Sequence, residues 1–230
     1  MTQLKLIKFR PVATCEHMER VLDILKTGEF WCSRFWELND PMEGVFLSDS
    51  STFSSVAVDA FFGKKASLVL CSFSSGAAIS SPLMWGYYAN GLRGVAIEIT
   101  IDANCPELYK IEYAQSIPSV THGDGEDAVR KVLASKLKPW KHEYEQRWLF
   151  QGEPGACPIG RVEKVYIGQP HSHACNRRAL EVQDVHRRYQ ERVSHIREVA
   201  ARRNVITVNV GLSDHRGRTV VREIVNEMEC

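Results

Sequence analysis

The sequence predicts a mixed α+β fold: a split, largely antiparallel sheet with flanking helices and one long amphipathic helix toward the C-terminus. Three observations carry that expectation. Strand-like runs outnumber helical runs up to residue 170, and Gly94 to Ile101 alternates Val95, Ile97, Ile99 and Ile101. From Asn176 to Arg203, Val182, Val185, Tyr189, Val193, Ile196 and Ala200 repeat at three- and four-residue steps through a charged background. The 230 residues, 44% hydrophobic and 25% charged, suit a single domain, 1–230, of ordinary composition. It divides into a sheet-rich core (1–170), a long helix with its lead-in (171–204) and closing strands (205–230).

Leu4 to Arg10 reads as a first strand. Thr14 starts a helix with Met18, Val21, Leu22 and Leu25 at helical spacing, and Gly28 stops it. Phe30 to Phe35 is a short aromatic strand. Asn39-Asp40-Pro41 forms the turn after it, because Asn and Asp bond locally and Pro fixes its own φ. Phe53 to Phe62 reads as a helix and Ser67 to Ser74 as a buried strand at the centre of the sheet. Pro82 opens a helical turn through Ala89, closed by Asn90-Gly91. Strands are expected at Tyr109 to Tyr113, Glu143 to Phe150 and Val162 to Ile167. A polar loop at Gly123 to Gly125 and a helix from Glu126 to Leu137 lie between the first two. Val205 to Val210 and Thr219 to Val225 close the sheet around an Asp214 to Gly217 turn.

Twenty-nine basic against 28 acidic residues leave a net charge of +1, so no global field steers the chain to nucleic acid or an anionic membrane. The seven cysteines are scattered and lack any Cys-x-x-Cys pair, which suits reduced thiols. The N-terminus has no uninterrupted apolar core of the signal-peptide kind, no stretch reaches membrane-spanning length, and a cytoplasmic protein is expected. There is no Gly-x-x-x-x-Gly-Lys loop for phosphoryl transfer and no Gly-x-Ser-x-Gly elbow for a serine hydrolase. His171, His173 and Cys175 lack the paired spacing of a zinc site, so no metal is expected and a polar loop is the simpler reading.

On a strand, residues two apart face the same way, so Glu143, Glu145 and Arg147 would line one surface. Two such carboxylates can divide labour, one stabilising positive charge on a reacting sugar while the other activates the incoming nucleophile. A solvated face with Glu–Arg pairing fits the same spacing. Ser72-Phe-Ser74 ends a buried strand, where hydroxyls hold a ligand or form a turn. Arg10 ends the first strand, where an Arg binds phosphate or meets water. Asn39, Trp85 and Tyr88 suit the lining of a flat heterocycle, although a short Trp/Tyr-rich helix also serves as a core plug. Glu98 faces either a cleft or solvent. The arginines of the long helix, Arg177, Arg178, Arg187, Arg188, Arg192, Arg197, Arg202 and Arg203, suit a phosphate backbone or a solvated outer face, and its apolar seam packs on the sheet or on a second copy.

The order Arg10, Ser72-x-Ser74, Glu143-x-Glu145 resembles that of the ADP-ribosyltransferases. The resemblance implies NAD as substrate, with Arg10 on its phosphates and ribose, Ser72 and Ser74 bracing the pocket, Glu145 on the nicotinamide ribose and Glu143 positioning or deprotonating the acceptor. A closer similarity spans Leu4 to Gly168. Leu38-Asn-Asp-Pro-Met-Glu43, Ser72-Phe-Ser74, Leu83-Met-Trp-Gly-Tyr-Tyr-Ala89, Gly94-Val-Ala-Ile-Glu98, Trp140 to Arg147 and Val165-Tyr-Ile-Gly168 together are similar to bacterial domain-of-unknown-function family 2971. Tyr87 departs from that pattern, which more often places a His there. Family 2971 adds no assigned activity; the ADP-ribosyltransferase resemblance implies ADP-ribosyl transfer to an unknown protein or nucleic-acid acceptor, as in a toxin or defence enzyme, or NAD glycohydrolysis if water is the acceptor. The alternatives are a non-catalytic nucleotide- or nucleic-acid-binding module of the same fold, and a hydrolase acting on another sugar or nucleotide.

Overall fold

Thr14 accepts the His17 amide through its side chain at 3.2 Å and Gly28 closes the first helix at φ 73°, so the expected start and stop signals bound it. In the computed structural model, which describes residues 2–48, 55–121, 127–170, 180–215 and 218–224, the chain runs β1 (Gln3–Pro11), α1 (Cys15–Thr27), β2 (Glu29–Cys32), β3 (Leu47–Ser48), α2 (Ser55–Ser67) and β4 (Leu68–Ser75). It continues through α3 (Pro82–Tyr88), β5 (Gly94–Asp102), β6 (Leu108–Lys110), β7 (Glu112–Ala114), β8 (Ser119–Val120), α4 (Asp127–Leu133) and β9 (Ser135–Leu137). Then follow β10 (Glu145–Gln151), β11 (Gly155–Pro158), β12 (Arg161–Gly168), α5 (Leu180–Arg202), β13 (Ile206–His215) and β14 (Arg218–Glu223). The fold is mixed α+β. No described helix is long and apolar enough to cross a membrane.

Two compact units form from interleaved segments: Met1–Glu29, Ser74–Asp102 and Pro158–Cys230 make the first, and Phe30–Phe73 with Ala103–Cys157 the second. The first unit takes residues from both sides of the expected 170/171 division.

In the first unit the strand order is β14-β13-β12-β5-β1, antiparallel except for the parallel β12–β13 pair. Six consecutive residues of β5, Gly94 to Ile99, are buried. The expected one-sided alternation is therefore corrected: Ala96 faces a cluster with Ile7, Phe9, Met84, Trp85 and Tyr166, so both sides of the strand are covered. Gly94 is required where it stands, because a Cβ there would lie 2.5 Å from the Arg10 carbonyl. On α5, Tyr189, Val193 and Ile196 are buried within this unit, and the Tyr189 hydroxyl donates to the Gly168 carbonyl at 2.6 Å. Val185, expected on the same seam, is 47% exposed instead.

In the second unit, β10 lies between β4 and β6 and its buried side alternates Glu145, Arg147 and Leu149. Leu149 joins Phe61, Leu68, Leu70, Val129, Val132 and Leu133 in the core. Three local expectations are corrected here. The expected helix 126–137 is a shorter α4 followed by β9: the Glu112 amide donates to the Ala134 carbonyl at 2.8 Å, and parallel pairing with β7 overrides helical periodicity. The expected strand 109–113 is two strands, β6 and β7. The expected strand 143–150 begins only at Glu145, after a 3-10 helix from Lys138 to Glu143 and Tyr144 at φ 50°.

The Gly123–Gly125 loop, the His171–Cys175 segment, Arg177 and Arg178 lie outside the described residues. Among the described residues, Cys15, Cys32, Cys71, Cys105 and Cys157 form no disulfide.

Candidate functional site

Glu143 and Glu145 are not two positions on one strand face, since one ends a 3-10 helix and the other starts β10. Their carboxylates meet all the same, on Lys136. The Lys136 ammonium lies 2.5 Å from Glu143 Oε2 and 2.9 Å from Glu145 Oε2. β9 presents Lys136 opposite Tyr113 of β7, and the Trp140 ring lies 5.3 Å from the ammonium. The Tyr113 hydroxyl accepts the Glu145 backbone N–H at 2.8 Å. Ser72, on β4, hydrogen-bonds the Glu145 side chain.

Arg147, wholly buried, completes the cluster. Its Nε and Nη2 donate to Glu145 Oε1 at 3.0 and 2.7 Å, its Nη1 and Nη2 to Glu43 at 2.5 and 3.2 Å, and Nη1 also to the Leu133 carbonyl. A guanidinium has five N–H donors, and these five contacts use the set. Leu133 ends α4, where the helix dipole favours a cation. The Asn39-Asp40-Pro41 turn brings Glu43 to Arg147: Asp40 Oδ1 accepts the Met42 amide at 2.9 Å and the Asp40 carbonyl accepts the Glu43 amide at 3.0 Å.

Three carboxyl groups thus share two cations in a dry setting. Burial by itself would raise Glu145, but the Arg147 and Lys136 charges and the Ser72 bond outweigh it and pull its pKa down to about 2. Burial raises the Glu43 carboxyl despite Arg147 beside it. Burial would lower the Lys136 ammonium, yet Glu145 and Glu143 raise it above its ordinary value. Burial also pushes the Tyr113 hydroxyl up to about 12. The cluster therefore holds the Glu145 carboxylate firmly ionised, its charge met by Arg147 and Lys136.

Of the residues singled out from sequence, the second unit brings Ser72, Glu143 and Glu145 together and leaves Asn39 exposed in its turn. The first unit holds Arg10, Ser74, Trp85 and Tyr88. Ser74 is buried on β4 opposite Ile7 of β1, and Arg10 lies three residues further along β1, opposite Val95. Trp85 is 1% exposed, meets Phe9 edge-on at 5.3 Å and donates from Nε1 to the Ile79 carbonyl at 2.8 Å. It is a core plug, and the expectation of a pocket lining is corrected for it. Tyr88 packs half-buried against the same cluster. Glu98, buried on β5, receives Lys5 at 2.9 Å and the Tyr166 hydroxyl at 2.8 Å, and it lines a cavity of about 440 Å³ with Ile79, Ser80 and Tyr166.

Glu43, Tyr113 and Lys136 were missed. Glu43 stands in the Leu38 to Glu43 stretch, so the turn already pointed to it; Lys136 gave no signal, because its strand reads as helix.

On α5, Arg187 and Arg188 pair with Asp184, Arg202 with Glu198, Arg192 donates to the Val12 carbonyl and Arg197 to Asn209. Among the described residues, no group of three His, Cys, Asp or Glu is placed to hold a metal ion. No protein-family model, curated protein or solved structure matches this chain.

Proposed function

We propose that the second unit carries ribosyl-transfer chemistry on NAD, with an acceptor still to be identified. The observation that supports this reading is the Ser72–Glu145 contact: two of the three motifs that resemble the ADP-ribosyltransferases meet at a carboxylate held ionised by Arg147 and Lys136. In the reaction, the glycosidic C–N bond of NAD breaks and nicotinamide leaves neutral with the bonding pair. Glu145 faces the ribosyl cation, the acceptor oxygen bonds to the same carbon, and its proton passes to Glu143. Water as acceptor gives glycohydrolysis. A protein or nucleic-acid group gives a modified target. In this reading the domain is ADP-ribosyltransferase-like in fold, a member of family 2971, and acts in the cytoplasm. The resemblance assigns Arg10 and Ser74 to NAD binding, and turn and aromatic chemistry adds Asn39 and Tyr88; alanine at each is expected to weaken NAD binding, and unchanged affinity removes that residue from the assignment.

One observation favours a second reading. Glu143 and Glu145 are 4% and 3% exposed and face cations of the same unit, as in an ionic core that holds a binding module together. Nicotinamide release from NAD by the purified chain, alone and with cell lysate, separates the two. Release that Glu145→Gln abolishes in a folded protein supports the transferase reading. Its absence from folded wild type under both conditions overturns it and leaves the binding module.

A further inference from the structure

Away from the carboxylate cluster, the second unit buries another cation. Lys65, in the last turn of α2, is 4% exposed. Its ammonium donates to the Gly44 carbonyl at 2.7 Å and lies over the rings of Phe35, Phe62 and Phe46 at 4.3, 5.2 and 5.4 Å. Among the described residues, no carboxylate pairs with it. Gly44 is held at φ 70°, where a Cβ would come 2.8 Å from the Phe35 ring, so the carbonyl that meets the ammonium depends on a glycine.

A buried charge is costly unless an opposite charge or a full set of hydrogen bonds offsets it. One carbonyl takes one of three N–H donors, and ring faces offset part of the rest. Burial lowers the Lys65 pKa accordingly. Beside this cation is a cavity of about 380 Å³ walled by Val45, Phe46, Val58, Phe61, Phe62 and Lys65. That volume is at the small end of organic-ligand sites, which combine apolar walls with a few placed polar groups. The Phe46 ring stands 4.6 Å from Phe61 and 5.8 Å from Phe62, tilted about 50° to each, and all three line the cavity, an aromatic wall suited to a flat guest.

We propose that this cavity binds a small aromatic carboxylate, its anion on the Lys65 ammonium and its ring among Phe46, Phe61 and Phe62. The guest supplies the missing counter-charge and fills apolar space at once. None of these side chains belongs to the Glu145 cluster, so the inference stands independently of the ribosyl-transfer reading.

The test titrates the full chain with 2-naphthoate and with neutral 2-naphthylmethanol by calorimetry. Wild type is expected to bind the naphthoate saturably and at least about tenfold more tightly than the alcohol, a difference of about 1.4 kcal/mol. Lys65→Met is expected to erase that preference, and Glu145→Gln to leave it unchanged. No saturable binding of naphthoate by folded wild type, or equal affinity for both probes, overturns the proposal. Should Lys65→Met not fold, Val58→Phe decides, since it adds bulk to the cavity wall and keeps the lysine. Loss of naphthoate binding there supports the site, and retention overturns it.

Discussion

Tyr113 and Lys136 stand opposite one another across the β7–β9 ladder, and both end on Glu145, the hydroxyl on its backbone N–H and the ammonium on its carboxylate. A three-residue parallel pair thereby sets both the backbone and the charge of the candidate catalytic residue. Lys136→Met leaves two buried carboxylates without their shared cation and should destabilise the fold by about 3 kcal/mol. Tyr113→Phe should cost about 1–2 kcal/mol through one lost acceptor. Because both act on Glu145, urea unfolding of the double variant should show non-additive losses; strict additivity would argue that the two contacts are independent.

Arg147→Leu removes the only guanidinium in the cluster and should destabilise by about 3–5 kcal/mol, more than any exposed pair of α5. Arg147→Lys should recover only part of this, since three donors replace five and the planar fork is lost. Chemical denaturation of both variants checks the ranking, and full recovery by Lys would show that charge alone matters.

Glu145 lies at about 2 in the fold against an ordinary 4.5. A depressed carboxyl contributes stability that is complete above about 4.5 and drains away as pH falls toward about 2. Glu43 is raised and has the opposite sign: its protonation on acidification relieves a burial cost. Stability measured against pH should therefore fall less steeply between 4.5 and 2 in Glu145→Gln than in wild type, whereas Glu43→Gln should differ in slope only above about 4.5, where it lacks the stability that wild type gains as Glu43 takes up its proton. Parallel profiles for all three proteins would contradict this assignment.

Trp85 is held by Phe9 and by the Ile79 carbonyl, so Trp85→Ala should cost about 3–5 kcal/mol and Trp85→Phe less. If Trp85 serves packing alone, affinity for NAD in the folded Phe variant should equal that of wild type. A selective loss of affinity at unchanged stability would return Trp85 to the ligand site.

Local chemistry was legible where a few neighbouring residues decide the outcome. Thr14 and Gly28 bound α1, Pro82 and Asn90-Gly91 bound α3, and the Asp40 turn lies where its side chain bonds its own backbone. The Glu143–Glu145 pair was found for an incomplete reason. Spacing of two placed both on one strand, whereas a 3-10 helix and a left-handed Tyr144 deliver Glu143 to the same cation from another element.

By itself, then, the sequence determined the α+β class, many element starts and stops, and Ser72, Glu143 and Glu145 as residues to follow, because capping, turn formation and alternation are short-range effects. Only the tertiary structure decided that Glu43, Tyr113 and Lys136 join Arg147 around Glu145, which of its two readings Trp85 follows, and that Lys65 lies under three phenylalanine rings. Those outcomes depend on desolvation and on partners distant in the chain. The charge that stabilises Glu145 comes from β9 and β10, and the ladder that places Lys136 overrides a helical pattern that the local residues, taken alone, would follow.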